Sequence, residues 1–330
     1  MRRVRCPRCG VCVELVPWAE SQSWFTYDFE EHVAYLAQRA DKTTLSTLMR
    51  VAWRTVGAII ERVVPRHQKG DRLDGLTRIG VDELSYRRHH EYVTVIVDHV
   101  RGGVVWASPG KNADTFKAFF KELGKERCAQ LEAVTLDMSA AYLKAVTEES
   151  PQARIIFDRF HVQRLAHDAL DEVRREQVRE AAPEDRRDLK NTRFALQKNP
   201  WNLSAIEEQK IAQVQKTNRP LYRAYLLKET LAKILDGGQV NIARKKLLEW
   251  TGWAARSRLP PFKKLARTVR SHLEGIVAYV ATGLSNGRSE GINGKIRTIT
   301  RRSFGFHGAA SLIALIFLCC SGLTLLPVHK

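Results

Sequence analysis

The fold of this chain is decided by the stretch Leu76-Thr77-Arg78-Ile79-Gly80-Val81-Asp82-Glu83, an apolar run that ends in two acids. Two further runs rich in β-branched residues follow closely, at 92–97 and 103–107. Such runs predict strands, and links this short favour antiparallel neighbours. We therefore expect Asp82 to project from the centre of a sheet or from its edge, where a carboxylate needs a cation or hydrogen bonds. The alternative is an exposed acid at the end of a strand.

The elements that follow extend this sheet. Apolar residues at helical spacing in 112–124 predict a helix that packs on it. A fourth strand at 131–137 ends in Asp137, and after a helix at 139–148 a fifth strand at 153–157 is followed by Asp158. Three antiparallel strands, then helix, strand, helix and strand, is the order of a ribonuclease H-like fold. The sequence thus predicts an α/β core with a mixed five-stranded sheet.

The charge of the chain indicates its class of partner. The formal net charge is +18, from 54 Lys and Arg against 36 Asp and Glu, in a composition typical of a folded soluble protein. A positive excess of this size favours a polyanion, either nucleic acid or an acidic membrane surface.

Cysteine usage and apolar stretches bear on the cell compartment. The six cysteines are too few and too clustered for a disulfide framework, so a reducing cytoplasm is expected. No signal peptide is predicted, because the Arg-rich N-terminus lacks an apolar core. Residues 309–326 approach the length of a membrane span, but a buried helix that closes a core is the favoured interpretation.

Two cysteines near the N-terminus have metal-ligand spacing. Cys6 and Cys9 resemble one knuckle of a zinc ribbon, in which two thiolates hold one Zn²⁺. A structural zinc site needs four ligands, and only Cys12 is nearby. The alternative is a turn with free thiols.

A pair of helices should follow this knuckle. Residues 28–37 have helical periodicity, Asp41 is placed to cap a short helix, and residues 56–63 carry a second apolar face. Two short helices about a turn apart resemble a helix-turn-helix, whose second helix enters the major groove. The residues expected to face DNA at the start of that helix are Trp53, Arg54 and Thr55.

The long charged segment from about 171 to 275 has no strand pattern and is interpreted as an all-helical insertion. Within it, residues 244–270 interleave basic side chains with Trp250, Trp253 and Phe262, which suits a surface that follows phosphates. A solvated helix face is the alternative. The candidate DNA contacts are Lys245, Lys246, Lys263, Lys264 and Arg267.

Residues 284–297 carry a third candidate acid. On a helix, Asn286, Glu290, Asn293 and Arg297 share one face. Three glycines weaken the helix but allow a backbone to approach a ligand closely. Together with Asp82 and Asp137, Glu290 could hold two Mg²⁺ or Mn²⁺ ions, which activate a water or a 3′-hydroxyl in phosphodiester displacement.

Several motifs together carry a family resemblance. They are Cys6-Pro7-Arg8-Cys9-Gly10, the helix pair from Asp41 to Val63, Ile79-Gly80-Val81-Asp82-Glu83, Thr135-Leu136-Asp137-Met138-Ser139, Phe157-Asp158-Arg159-Phe160-His161, and the run from Ser285 to Lys295. In this order they resemble the bacterial insertion-sequence transposases of the DDE class, in particular the ISL-three family.

The resemblance implies a function and roles for residues. It implies that Asp82, Asp137 and Glu290 are the metal-binding triad, with Lys295 in a supporting position. Asp158 and His161 resemble a motif that follows the second acid in related transposases, where the histidine orients DNA or a carboxylate; a packed core histidine fits equally well.

The implied partners are the terminal inverted repeats and the target, both double-stranded DNA, and a second copy of the chain on that DNA. Neither a small-molecule substrate nor a membrane is expected, and the implied location is the cytoplasm, at the nucleoid.

Two departures from the family pattern lead to further expectations. The family has a fuller zinc ribbon, so this chain is expected to be truncated at its N-terminus. The run 312–326 is more continuously apolar than expected, so a frameshifted or altered C-terminal tail is an open alternative. The rival functions are a ribonuclease H-like nuclease or recombinase, and a truncated DNA-binding protein without catalysis.

Four regions are expected along the chain. They are a partial zinc knuckle with a helix-turn-helix at 1–65, the first part of the core at 66–170, the all-helical insertion at 171–275, and the last part of the core at 276–330.

Overall fold

The computed structural model describes residues 3–13, 15–21, 23–87, 91–284, 287–303, 306 and 308–327, with the backbone alone at Val13, Arg87 and Arg288. The chain divides into two compact units. The first unit comprises Met1–Leu131 and Gly287–Lys330, and the second comprises Glu132–Asn286.

In the residues that the structure describes, seven strands form two sheets. The strands are β1 (Arg3–Cys6), β2 (Gly10–Val13), β3 (Arg78–Arg87), β4 (Glu91–Asp98), β5 (Gly103–Pro109), β6 (Ala133–Leu136) and β7 (Arg154–Phe157). β1 and β2 form an antiparallel hairpin, and the other strands form a sheet in the order β5-β4-β3-β6-β7. Because β3, β4 and β5 are antiparallel while β6 and β7 are parallel, the predicted mixed five-stranded sheet of an α/β core is confirmed.

Sixteen α-helices are found in the described part of the chain. They are α1 (Tyr27–Ala37), α2 (Lys42–Met49), α3 (Trp53–His67), α4 (Ala113–Leu123), α5 (Lys125–Cys128), α6 (Ala140–Glu149), α7 (Arg159–Glu180), α8 (Pro183–Lys190), α9 (Arg193–Gln197), α10 (Ala205–Thr217), α11 (Arg219–Leu235), α12 (Val240–Ala255), α13 (Pro260–Ser271), α14 (Leu273–Thr282), α15 (Gly287–Arg302) and α16 (Ala309–Cys320).

Asp82 does not lie at the end of its strand. β3 continues to Arg87, and Asp82 is in mid-strand opposite Val95 of β4. The strand continues past the two acids to the buried Leu84, which lies on the same face of the sheet as Asp82. The expectation that the run ends at these acids was wrong, and the central position predicted for Asp82 was right.

The core of the first unit joins the N-terminal helices to the sheet. Buried side chains of α1, α3 and α16 pack with those of β4 and β5 in one cluster, which includes Ile59, Ile60, Val95 and Leu315. The apolar C-terminal run is therefore a buried helix, as predicted, and α16 is only 12 residues long. Among the residues that the structure describes, no helix is both long and apolar enough to cross a membrane.

The second unit is helical after β7. Within α12 and α13, Trp250 and Phe262 are buried, and the Trp250 indole donates to the carbonyl of Leu227. These two aromatic rings are therefore core residues, and the expectation that they face nucleic acid was wrong. At helical spacing the apolar side chains turn inward and leave the basic side chains exposed.

An ion pair in α7 is largely buried. Arg174 and Asp171 are joined at 2.7 Å, and only 10% and 13% of their side chains are exposed. α8 and α9 follow α7 in this unit, and Arg193 of α9 also lies within ion-pair distance of Asp171.

Candidate active site and DNA-binding elements

Helix α15 lies on strand β3 in the first unit and brings two predicted site residues together. The Asn293 amide nitrogen donates to Oδ2 of Asp82, while the backbone N–H of Glu83 donates to Oδ1 at 2.7 Å. Asn293 is only 3% exposed, and Asp82 is half-buried. The carboxylate of Asp82 is thus held in one orientation by groups on both sides.

A glycine permits this close packing. A Cβ on Gly80 would lie 2.6 Å from Oγ of Ser289 and 2.8 Å from Nε2 of His99. Neither Gly80 nor Ser289 was singled out from the sequence. A glycine inside a strand pattern often marks a close approach of another segment, so the signal was present at Gly80.

The other residues predicted on α15 differ in their surroundings. Glu290, one turn before Asn293, is exposed, and so is Arg297. The ammonium of Lys295 donates to the carbonyl of Cys319 at the end of α16, which ties the two helices together. Asn286 lies outside the described residues.

Asp137 belongs to the second unit, where it follows β6. It is half-buried, and its Oδ1 accepts the backbone N–H of Ser139 at 2.9 Å. In the same unit Asp158 follows β7, is buried, and accepts the backbone N–H of Phe160 as the N-cap of α7. His161 lies half-buried in the first turn of α7.

The donor set of the first unit suits a hard divalent cation. Carboxylate and amide oxygens are the ligands that Mg²⁺ and Mn²⁺ prefer. Beside Asp82, the Oδ1 atom of Asn293 is buried and has no hydrogen-bond partner among the residues described, which is a reason to expect an ion or a water there. In the part of the chain that the structure covers, no three His, Cys, Asp or Glu side chains form a group that could hold a metal ion.

The helix pair forms as the sequence predicts. Asp41 caps α2 by accepting the backbone N–H groups of Thr43 and Thr44, both at 2.9 Å. At the start of α3, Arg54 is exposed, whereas Trp53 and Thr55 are half-buried. Facing DNA therefore remains a prediction for all three residues, and exposure favours Arg54.

Lys42 was missed from the sequence. It is only 2% exposed, and its ammonium lies 4.4 Å from the centroid of the Trp53 ring and 5.5 Å from that of Phe306. Burial lowers the pKa of Lys42. Trp53 thus has a structural role between α2 and α3.

The cysteine pair lies on the hairpin of β1 and β2. The backbone N–H of Arg8, and after it that of Cys9, lowers the pKa of the Cys6 thiol by hydrogen bonding to its sulfur. A lowered pKa favours the thiolate form that binds metals. Zinc binding by Cys6 and Cys9 remains a prediction.

The basic candidates of the second unit are exposed. Lys245 and Lys246 lie on α12, and Lys263, Lys264 and Arg267 lie on α13. Exposure is what a phosphate contact requires, and a solvated face would show the same.

Comparison with known proteins assigns the chain to a class. A family model described as a transposase, of the DDE type in family ISL3, matches residues 79–316, and one described as the helix-turn-helix domain of transposase family ISL3 matches residues 14–64. The transposase for insertion sequence element IS1557 of Mycobacterium tuberculosis is 42% identical, over 97% of this chain and 77% of the relative. The transposase for insertion sequence element IS1001 of Bordetella parapertussis is 27% identical, over 93% of this chain and 76% of the relative.

Proposed function

The chain belongs to the ISL3 family of insertion-sequence transposases, and on this premise we propose that it cleaves DNA at transposon ends and joins the freed ends to target DNA. One observation supports this more than any other. The helix that carries Glu290 packs on the strand that carries Asp82, and Asn293 holds the Asp82 carboxylate.

We propose a ribonuclease H-like core for this activity. Its support is the order β3, β4, β5, α4, α5, β6, α6, β7 along the chain, together with the strand order of the sheet. In an α/β sheet, ligands bind outside the carboxyl ends of the strands. Asp137, directly after β6, has such a position.

Asp82, Asp137 and Glu290 would hold Mg²⁺ or Mn²⁺. When bound, the cations supply charge stabilisation to the attacking and leaving oxygens of a phosphodiester displacement. Asp82 and Glu290 lie in the first unit, and Asp137 lies in the second.

Other residues would bind and orient the DNA. We propose that α3 reads the terminal inverted repeat through Arg54, and that the exposed basic side chains of α12 and α13 follow the phosphate backbone. Two transposon ends must be held at once for joining, so a homo-oligomer on DNA at the nucleoid is part of the proposal.

The test is a cleavage and joining assay with the full chain, Mg²⁺ and a DNA fragment that carries the terminal inverted repeats of the element. We expect Asp82→Asn, Asp137→Asn and Glu290→Gln each to lower cleavage by about 10³-fold or more, because removal of one member of a catalytic set removes most of its effect. Binding to the DNA fragment should persist in all three variants.

The matched control is Glu83→Gln. Glu83 is the next acid along β3, and its side chain points to the opposite face of the sheet from that of Asp82. Its replacement should leave cleavage unchanged. Cleaved ends without joined products would favour a nuclease, and equal activity of Asp82→Asn and the wild type would overturn the proposal.

A further inference from the structure

Asn293 has one polar atom engaged and one unsatisfied. Its Nδ2 donates to Oδ2 of Asp82, and its Oδ1 is buried with no hydrogen-bond partner among the residues that the structure describes. The residue as a whole is 3% exposed. An unsatisfied buried carbonyl costs free energy, so its retention calls for an explanation such as an ion.

The orientation of this amide follows from chemistry. An ionised carboxylate only accepts hydrogen bonds, so the amide must present its NH₂ group to Asp82. Oδ1 of Asn293 is therefore the amide atom that takes no part in this hydrogen bond.

The helix that carries Asn293 is fixed on β3 at two points. Ser289 meets Gly80, and Asn293 meets Asp82. Four helical residues rise about 6 Å and two strand residues about 6.6 Å, so the two contacts match in spacing. Over these residues α15 therefore runs in the same direction as β3. The two contacts leave Asn293 little freedom to move away from Asp82.

We propose that Asn293 is the positioning residue of Asp82 and that its Oδ1 gives a neutral oxygen ligand to the divalent cation held by Asp82. The inference rests on the proposed function, because it takes Asp82 as a cation ligand. Amide oxygens are common ligands of hard cations. An amide oxygen ligates the cation without adding negative charge beside Asp82.

The test is a titration of the full chain with Mn²⁺ alone, in which electron paramagnetic resonance measures the free ion. We expect Asn293→Ala to weaken Mn²⁺ binding by about 10-fold to 100-fold, the range found when partners that orient metal ligands are removed. Asn293→Asp restores an oxygen next to Asp82, and we expect it to bind Mn²⁺ more tightly than Asn293→Ala does. A residue that only stabilises the fold would give weak binding in both variants.

The matched control is Thr298→Ala, an exposed residue later on the same helix that lies outside both contacts with β3. Its Mn²⁺ affinity should equal that of the wild type, and circular dichroism verifies that each variant is folded. Wild-type affinity in Asn293→Ala, with loss of affinity in Asp82→Asn, would overturn this inference and leave the proposed function standing. Unchanged affinity in Asp82→Asn would instead count against the proposed function.

Discussion

At the scale of single residues, the Glu30 carboxylate holds the N-terminal helices together. It is fully buried on α1, and it accepts from Arg62 and Arg66 of α3 and from Ser23. The distances are 2.5 Å to Arg62, 2.7 Å to Arg66 and 2.8 Å to Ser23. Such a set of contacts fixes the angle between α1 and α3.

We expect Glu30→Ala to lower the free energy of unfolding by about 3–5 kcal/mol, because it leaves two arginines without their buried partner. Urea denaturation measures the change. The control is Glu31→Ala, the next residue on α1, whose partner is His67 and whose side chain is 35% exposed. An ion pair near the surface contributes about 0–1 kcal/mol, so equal losses in the two variants would contradict this account.

Gly80 is the residue on which the contact between β3 and α15 depends. We expect Gly80→Ala to destabilise the first unit by about 1–3 kcal/mol and to weaken cleavage, because the added Cβ meets Ser289 and His99. Removing the hydroxyl in Ser289→Ala should restore part of the loss, since Oγ of Ser289 is the nearest atom. A double-mutant cycle in thermal unfolding measures the coupling, and strictly additive effects would refute the contact.

At the scale of elements, α15 contains more glycine than an ordinary helix. Gly291 and Gly294 are exposed, and a Cβ at either position would meet nothing within 4 Å. Packing inside the protein does not require them. The open surface is where a DNA backbone could approach the helix closely.

We expect Gly291→Ala and Gly294→Ala each to raise the free energy of unfolding by about 0.5–1 kcal/mol, because alanine favours the helix. We expect the same variants to lower cleavage by roughly 10-fold to 100-fold, because the added methyl group would move the DNA backbone out of its reactive position. The control is Thr298→Ala, at an exposed position on the same helix. Alanine there also favours the helix, but it leaves the open surface at Gly291 and Gly294 unchanged. Higher stability with full cleavage would show that no DNA approaches these glycines.

The elements themselves were largely predictable, and the contacts between them were not. Strand runs, the Asp41 cap and the inward faces of α3 and α16 follow from local periodicity, which the sequence carries directly. The bond between Asn293 and Asp82 joins residues 211 positions apart, and periodicity carries no information about such pairs. Trp250 was misjudged because an aromatic ring suits a core as well as a nucleic-acid surface.

At the scale of the whole molecule, the net charge of +18 favours DNA binding that depends steeply on salt. Each phosphate contact contributes about −0.9 to the slope of log K against log salt concentration. Replacing Lys263, Lys264 and Arg267 by Gln should therefore reduce the magnitude of that slope by up to about 2.7, measured by fluorescence anisotropy with the terminal repeat.

The control for this change replaces three other exposed basic residues of the same unit, Lys190, Lys216 and Arg219, by Gln. It removes the same charge from helices α8, α10 and α11, and the slope should stay near that of the wild type. Equal slopes in the two triple variants would mean that total charge, and not the α13 surface, sets the affinity.

The central claim is that Asp82, Asp137 and Glu290 are ligands of divalent cations during cleavage. The most direct measurement replaces each by cysteine and compares cleavage in Mg²⁺ with cleavage in Mn²⁺, because Mn²⁺ accepts sulfur ligands better than Mg²⁺ does. We expect each cysteine variant to be inactive in Mg²⁺ and to regain part of its activity in Mn²⁺. A variant that cleaves as well as the wild type in Mg²⁺, or that stays inactive in both metals while still binding DNA, would contradict the claim for that residue.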